Sequence, residues 1–108
     1  MSIILTNKSQ KYIVKTNIHN LFIDLIYIEE SCAQIYDPKI RIIKNRDLEK
    51  FEDFDNISTD NLTLYISNAF TKIYGKLDKY LLDMCGFVKK RLFLSNVDSI
   101  IRNICKTK

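Results

Sequence analysis

The chain has 108 residues, of which 46% are hydrophobic and 28% charged, with a formal net charge of +4. That length supplies one core and leaves no room for two full domains, and the composition excludes disorder along most of the chain. The basic excess, 17 Lys and Arg against 13 Asp and Glu, is modest and spread along the sequence, so nucleic-acid binding is permitted but not expected. The longest apolar stretch, Leu21 to Ile28, is interrupted by Asp24 and falls far short of the roughly 20 residues of a membrane-spanning helix. The amino terminus lacks the basic, apolar and small-residue segments of a secretory signal. No membrane partner is expected, and the default location is cytoplasmic. Cys32, Cys85 and Cys105 are an odd number with no close pair, which fits reduced thiols better than a disulfide framework.

In chain order, Ile3-Ile4-Leu5 reads as a short strand, and Thr6 or Asn7 can cap a helix over Lys8 to Thr16, with Asn17 and His19-Asn20 as its stop. Leu21 to Ile28 is apolar on both faces apart from Asp24 and reads as a central strand. Asp37-Pro38 is a turn signal, and Lys39-Ile40-Arg41-Ile42 alternates as a half-buried strand does. A hairpin-like arrangement follows, with Cys32 on its connecting arm. Asn45 to Asp60 reads as a solvated acidic loop with one helical turn. Leu62 to Ile66 is a strand, and Ser67 or Asn68 caps a helix carrying Ala69, Phe70, Ile73, Tyr74 and Leu77 on one face, with Gly75 placed to end it. Leu81-Leu82-Asp83 and Phe87 to Leu94 read as two strands around Met84-Cys85-Gly86. Val97, Ile100, Ile101 and Ile104 lie at helical spacing behind Ser95 and Asn96, so a short amphipathic helix is expected over residues 95–108. The whole chain, residues 1–108, is expected to be a single α+β domain with a small mixed β-sheet or sandwich and two or three short helices.

Cys32 is the first candidate for chemistry, because a thiolate in a polar connection can bind iron, zinc or a cluster; as a small buried hydrophobe it would carry none. Cys32, Cys85, Cys105 and His19 are suitable ligand types, but none shows the close spacing of a zinc site. A Cys-His hydrolase would need Cys32 beside His19, oriented by Asp24 or Asp37, and nothing local supports it. His19 reads as a capping or surface residue. Lys89-Lys90-Arg91 with Phe87 and Phe93 nearby reads as a solvated strand face in preference to a nucleic-acid surface. The acidic segment lacks the oxygen spacing and glycine of a calcium loop.

The order of elements, with Glu30-Ser31-Cys32-Ala33-Gln34-Ile35-Tyr36-Asp37-Pro38 between strands and Leu82-Asp83-Met84-Cys85-Gly86-Phe87 later, resembles the HesB-like family, which includes the A-type iron-sulfur carriers. The likeness spans about residues 3 to 94. It looks closest to the branch in which the residue matching Cys32 is followed by a second cysteine or by selenocysteine; here Ala33 stands there. Carriers of this kind hold iron or a cluster, usually across a dimer, through a mid-chain cysteine and a Cys-Gly-Cys near the carboxyl end. Cys32 matches the first; Cys105 stands alone near the end, and Cys85-Gly86 precedes a strand. The resemblance implies a HesB-like fold and a protein that binds or relays iron or an iron-sulfur cluster through Cys32, with Cys105 and Cys85 as further metal candidates and Tyr36 and Asp37 beside the site. A homodimer and a client protein are the partners it implies. The alternative is a non-enzymatic binding or regulatory domain that keeps the fold without metal chemistry; no acid/base pair or activated nucleophile suggests an enzyme.

Overall fold

The structure is a computed structural model that describes residues 2–59 and 61–104. The double-sided apolar run sets its centre: β2 (Asn20–Glu30) is the middle strand of a five-stranded sheet. Leu21 and Ile23 are completely buried on one face, where each contributes about 1.5–3 kcal/mol by leaving water. Phe22 points to the other face and is covered by Phe51 and Phe54, with ring centroids 4.8 and 5.1 Å away. Beyond Ile26 the strand leaves the core, and Tyr27, Ile28, Glu29 and Glu30 are exposed. It turns at Ser31-Cys32 into β3 (Ala33–Ile42), its antiparallel partner along the whole length, from Leu21 opposite Ile42 to Glu30 opposite Ala33.

On the other side of β2 lies β5 (Leu62–Ile66), parallel to it, and then β4 (Asp55–Thr59), antiparallel to β5. The full order is β4-β5-β2-β3-β8, with β8 (Ile100–Asn103) on the outer edge of β3. A three-stranded sheet of order β1-β6-β7 completes the chain: β1 (Ser2–Leu5) runs parallel to β6 (Lys79–Cys85), and β7 (Arg91–Leu94) antiparallel to it. The two sheets share one core, in which Leu21, Ile23 and Leu64 meet Tyr80, Leu82 and Leu94. Helices α1 (Asn7–Lys15) and α2 (Asn68–Tyr74) add Ile13 and Phe70 to it.

Both helices start where the capping residues indicate. The Thr6 hydroxyl accepts from Ser9 N and the Ser67 hydroxyl from Phe70 N, each satisfying an otherwise orphan amide. Thr6 also donates to Asp83 on β6 at 2.8 Å, and the fully buried Ser9 hydroxyl donates to the carbonyls of Thr6 and Leu82, which ties α1 to the smaller sheet. Gly75, at φ +76, ends α2 as the sequence indicates.

Four expectations are corrected. The turn expected at Asp37-Pro38 is not there: both residues lie within β3, paired with Ile26 and Leu25. The acidic segment has the expected helical turn, as a 3-10 helix over Asn45–Phe51, but it is no loop beyond that: it continues into β4, and Phe51 and Phe54 anchor it on Phe22. The strand expected from Phe87 begins only at Arg91, and residues 86–90 form the tip of the β6–β7 hairpin. The amphipathic helix expected over 95–108 is absent among its described residues. Residues 100–103 are β8, paired with β3 from Tyr36 opposite Ile100 to Ala33 opposite Asn103. Two adjacent β-branched residues favour extended backbone, and the open hydrogen-bonding edge of β3 gave them a ladder to join. The remainder of that expected helix, residues 105–108, lies outside the described residues.

Candidate functional site

Cys32 sits at the tip of the long β2–β3 hairpin and is exposed. Its carbonyl accepts from Ile104 N at 2.9 Å, so the end of β8 lies directly against the turn. The tip borders an open depression lined by Glu30, Ser31, Cys32, Ala33, Ile101 and Asn103. Cys32 is disulfide-bonded. For Cys32 this corrects the expectation of reduced thiols, which holds for Cys85: a disulfide needs no close spacing along the chain, because the fold sets which sulfurs meet. Cys105 lies outside the described residues.

Tyr36, on the next part of β3, stands opposite Tyr27, with ring centroids 5.1 Å apart. The Tyr27 hydroxyl donates to Glu29 at 2.6 Å, and that bond is the first reason its pKa is raised, the nearby carboxylate charge adding to it. These rings stiffen the arm that carries Cys32.

Asp37 belongs to a different place. With about 3.3 Å per residue along a strand, it lies roughly 16 Å from Cys32. It faces a groove of about 300 Å³ between β3 and the β6–β7 hairpin, shared with Lys39, Cys85 and Arg91. Ser99 donates to Asp37 at 2.7 Å. Cys85, the last residue of β6, is a free thiol that accepts from Arg91 Nε at 3.5 Å. That contact is the main reason the Arg91 guanidinium is held above its usual pKa, with Cys85 charge and Asp37 adding to it. Next to the groove, Tyr74 donates to the Asp98 carbonyl at 2.5 Å; burial first, then the charges of Asp37 and Asp98, raises its pKa.

The structure therefore divides the candidates. Cys32 and Tyr36 share the first hairpin, Asp37 and Cys85 share the groove, and Cys32 and Cys85 are not brought together. His19 precedes the first residue of β2 and lies roughly 35 Å from the tip along that strand; it contacts Asn17 Oδ1 at 2.9 Å and the Asn61 carbonyl at 3.2 Å, the surface role the sequence suggests. Asp24 is engaged by Arg41 at 2.6 Å. Neither can serve Cys32 as a catalytic base or orienting group. Among the described residues no group of three or more His, Cys, Asp or Glu is placed to hold a metal ion. The groove residues Arg91 and Lys39 were missed as site residues; the signal available was the basic run beside Cys85, read there as a solvated strand.

A family model for proteins containing a CC/Se motif matches residues 1–95. The chain belongs to the CC/Se motif containing family. No curated protein and no solved structure matches it. This member of the CC/Se motif family has no two adjacent cysteines, since Ala33 follows Cys32 and Gly86 follows Cys85. The matched region runs from β1 through β7 and stops short of β8, the strand laid against the Cys32 turn.

Proposed function

We infer that the protein is a non-enzymatic binding or regulatory domain whose responsive group is the Cys32 sulfur, alternating between disulfide and thiol. The observation that carries this reading is a disulfide-bonded cysteine at an exposed hairpin tip, in a family described by a Cys-Cys or selenium motif. Reduction adds two electrons and two protons across the S–S bond and leaves two thiols, with a small-molecule dithiol or the cellular thiol pool as the reductant. In the cytoplasmic location expected from the sequence such an exposed disulfide is transient, forming and breaking with redox poise.

A second reading keeps the HesB-like resemblance: the reduced Cys32 thiolate binds or relays iron or an iron-sulfur cluster, which is cargo and not a resident cofactor. It is favoured by the position of Cys32 at an exposed tip, where two copies of the chain can bring their thiolates together across a homodimer. It requires Cys32 to be reduced first. Anaerobic reconstitution with iron and sulfide after reduction, on wild type and Cys32→Ala, separates the two. A chromophore seen in wild type and lost in Cys32→Ala supports the iron reading. No chromophore in either, together with a reversible thiol titration of Cys32, supports the redox-responsive domain. A Cys32 that does not titrate reversibly overturns the first reading.

A further inference from the structure

The β6–β7 hairpin ends in Gly86-Phe87-Val88-Lys89-Lys90-Arg91. Phe87 is 99% exposed and Val88 96% exposed, so two adjacent large apolar side chains stand wholly in water at the end of a projecting turn. Three cations follow them directly, and no acidic residue lies in that stretch. The turn is tightly closed: Cys85 pairs with Arg91 at its base, and Gly86 adopts φ +102 where a Cβ would come within 2.1 Å of the Lys89 carbonyl oxygen. Only glycine fits that approach, and the result is a shaped tip that holds Phe87 and Val88 outward.

We propose that this tip docks on an anionic lipid surface, with Phe87 and Val88 entering the interfacial layer and Lys89 and Lys90 meeting the lipid phosphates. Charge complementarity selects an anionic occupant, because two lysines follow the apolar pair in a turn that holds no acidic residue. The shape selects a lipid over a protein partner. A protein interface needs about 800 Å² from each side, which a convex five-residue turn does not offer, whereas a bilayer surface deforms around a small apolar wedge backed by basic residues. No helix among the described residues is long and apolar enough to cross a membrane, so the contact is peripheral. It departs from the sequence expectation of no membrane partner, and it does not depend on the redox reading of Cys32.

The test uses the full chain. It contains no tryptophan, so Phe87→Trp places a single reporter at the tip. With vesicles of phosphatidylcholine and phosphatidylserine its emission shifts to the blue, and with phosphatidylcholine alone it does not. In co-sedimentation, Phe87→Gln with Val88→Gln weakens binding to the anionic vesicles about a hundredfold, and Lys89→Gln with Lys90→Gln about thirtyfold. Thermal unfolding of both double variants stays that of wild type, because these side chains touch little of the fold. The proposal is overturned by no binding to anionic vesicles, by equal binding to neutral ones, or by binding indifferent to Phe87 and Val88. It is also overturned if a single-stranded oligonucleotide, and not the vesicles, gives the Phe87-dependent signal.

Discussion

The β2–β3 and β6–β7 hairpins each bring a cysteine to their outer end, and they treat it in opposite ways. At the first, Cys32 lies in the turn itself, its sulfur is in a disulfide and its carbonyl is bonded to the end of β8. At the second, Cys85 stops one residue before the turn, keeps a free thiol beside Arg91, and the turn beyond it is bare of neighbours. The difference comes from the sheet edges. β3 had an open edge that β8 could join, so the first hairpin was tied down far from the core. The second hairpin turns between Cys85 and Arg91, where β7 begins, and Phe87 and Val88 stand in water at that turn. The tip that an edge strand reaches is the one we propose for reversible disulfide chemistry, and the tip that none reaches is the one we propose for surface contact.

The largest effect that could break this comparison lies beneath the second hairpin. Leu82 is fully buried and pairs with Leu5 and Leu94, so Leu82→Ala costs about 3–4 kcal/mol in urea unfolding. A loss under about 1 kcal/mol would mean that the smaller sheet is not part of the shared core. At the first tip, Cys32→Ala destabilises by about 2–3 kcal/mol in the absence of reductant and is indistinguishable from wild type in its presence. Cys85→Ala changes stability little under either condition. Equal effects of the two substitutions would erase the distinction between the tips. At the second tip, Gly86→Ala costs about 1–2 kcal/mol through the strained backbone and the close Lys89 carbonyl.

The smallest effect is electrostatic and sits at the root of the second hairpin. Met84 N and the Thr6 hydroxyl donate to Asp83, each at 2.8 Å, and hold its carboxyl below the ordinary 3.8, the Met84 bond being the larger cause. A carboxyl lowered in the folded state contributes stability that is complete above 3.8 and is lost as pH falls through the folded value. Asp83→Asn therefore lowers the neutral plateau of a melting-temperature profile slightly, leaves its acid end unmoved and so flattens the acid limb. A steeper acid limb in the variant would contradict the assignment.

Much of the frame was legible from local signals. The two-sided apolar run of β2 announced a central strand because Phe22 and the Leu21, Ile23 pair have separate covers. Thr6 and Ser67 announced helix starts because their hydroxyls have no better use than the first orphan amides. What was illegible depended on distant partners. Val97, Ile100, Ile101 and Ile104 fit a helical stripe, but they do not meet the core as one face: Val97 packs against it while Ile101 remains 69% exposed and Ile104 43% exposed, and the backbone of residues 100–103 joins the β3 edge. Phe51 and Phe54 looked like sparse anchors in an acidic loop until Phe22 supplied their cover. The site divided for the same reason. Cys32, Tyr36 and Asp37 are near in sequence, yet strand geometry sends Cys32 to the tip and Asp37 to the groove beside Cys85, and only the sheet topology reveals the separation.

Differential alkylation read by mass spectrometry tests the central claim most directly, since that claim is that the two hairpin cysteines exist in different states. Without reductant, under native conditions, an iodoacetamide label appears on Cys85 and not on Cys32; after reduction, Cys32 becomes labelled and returns to the protected state on reoxidation. Labelling of Cys32 as readily as Cys85 before any reductant is added would contradict the account.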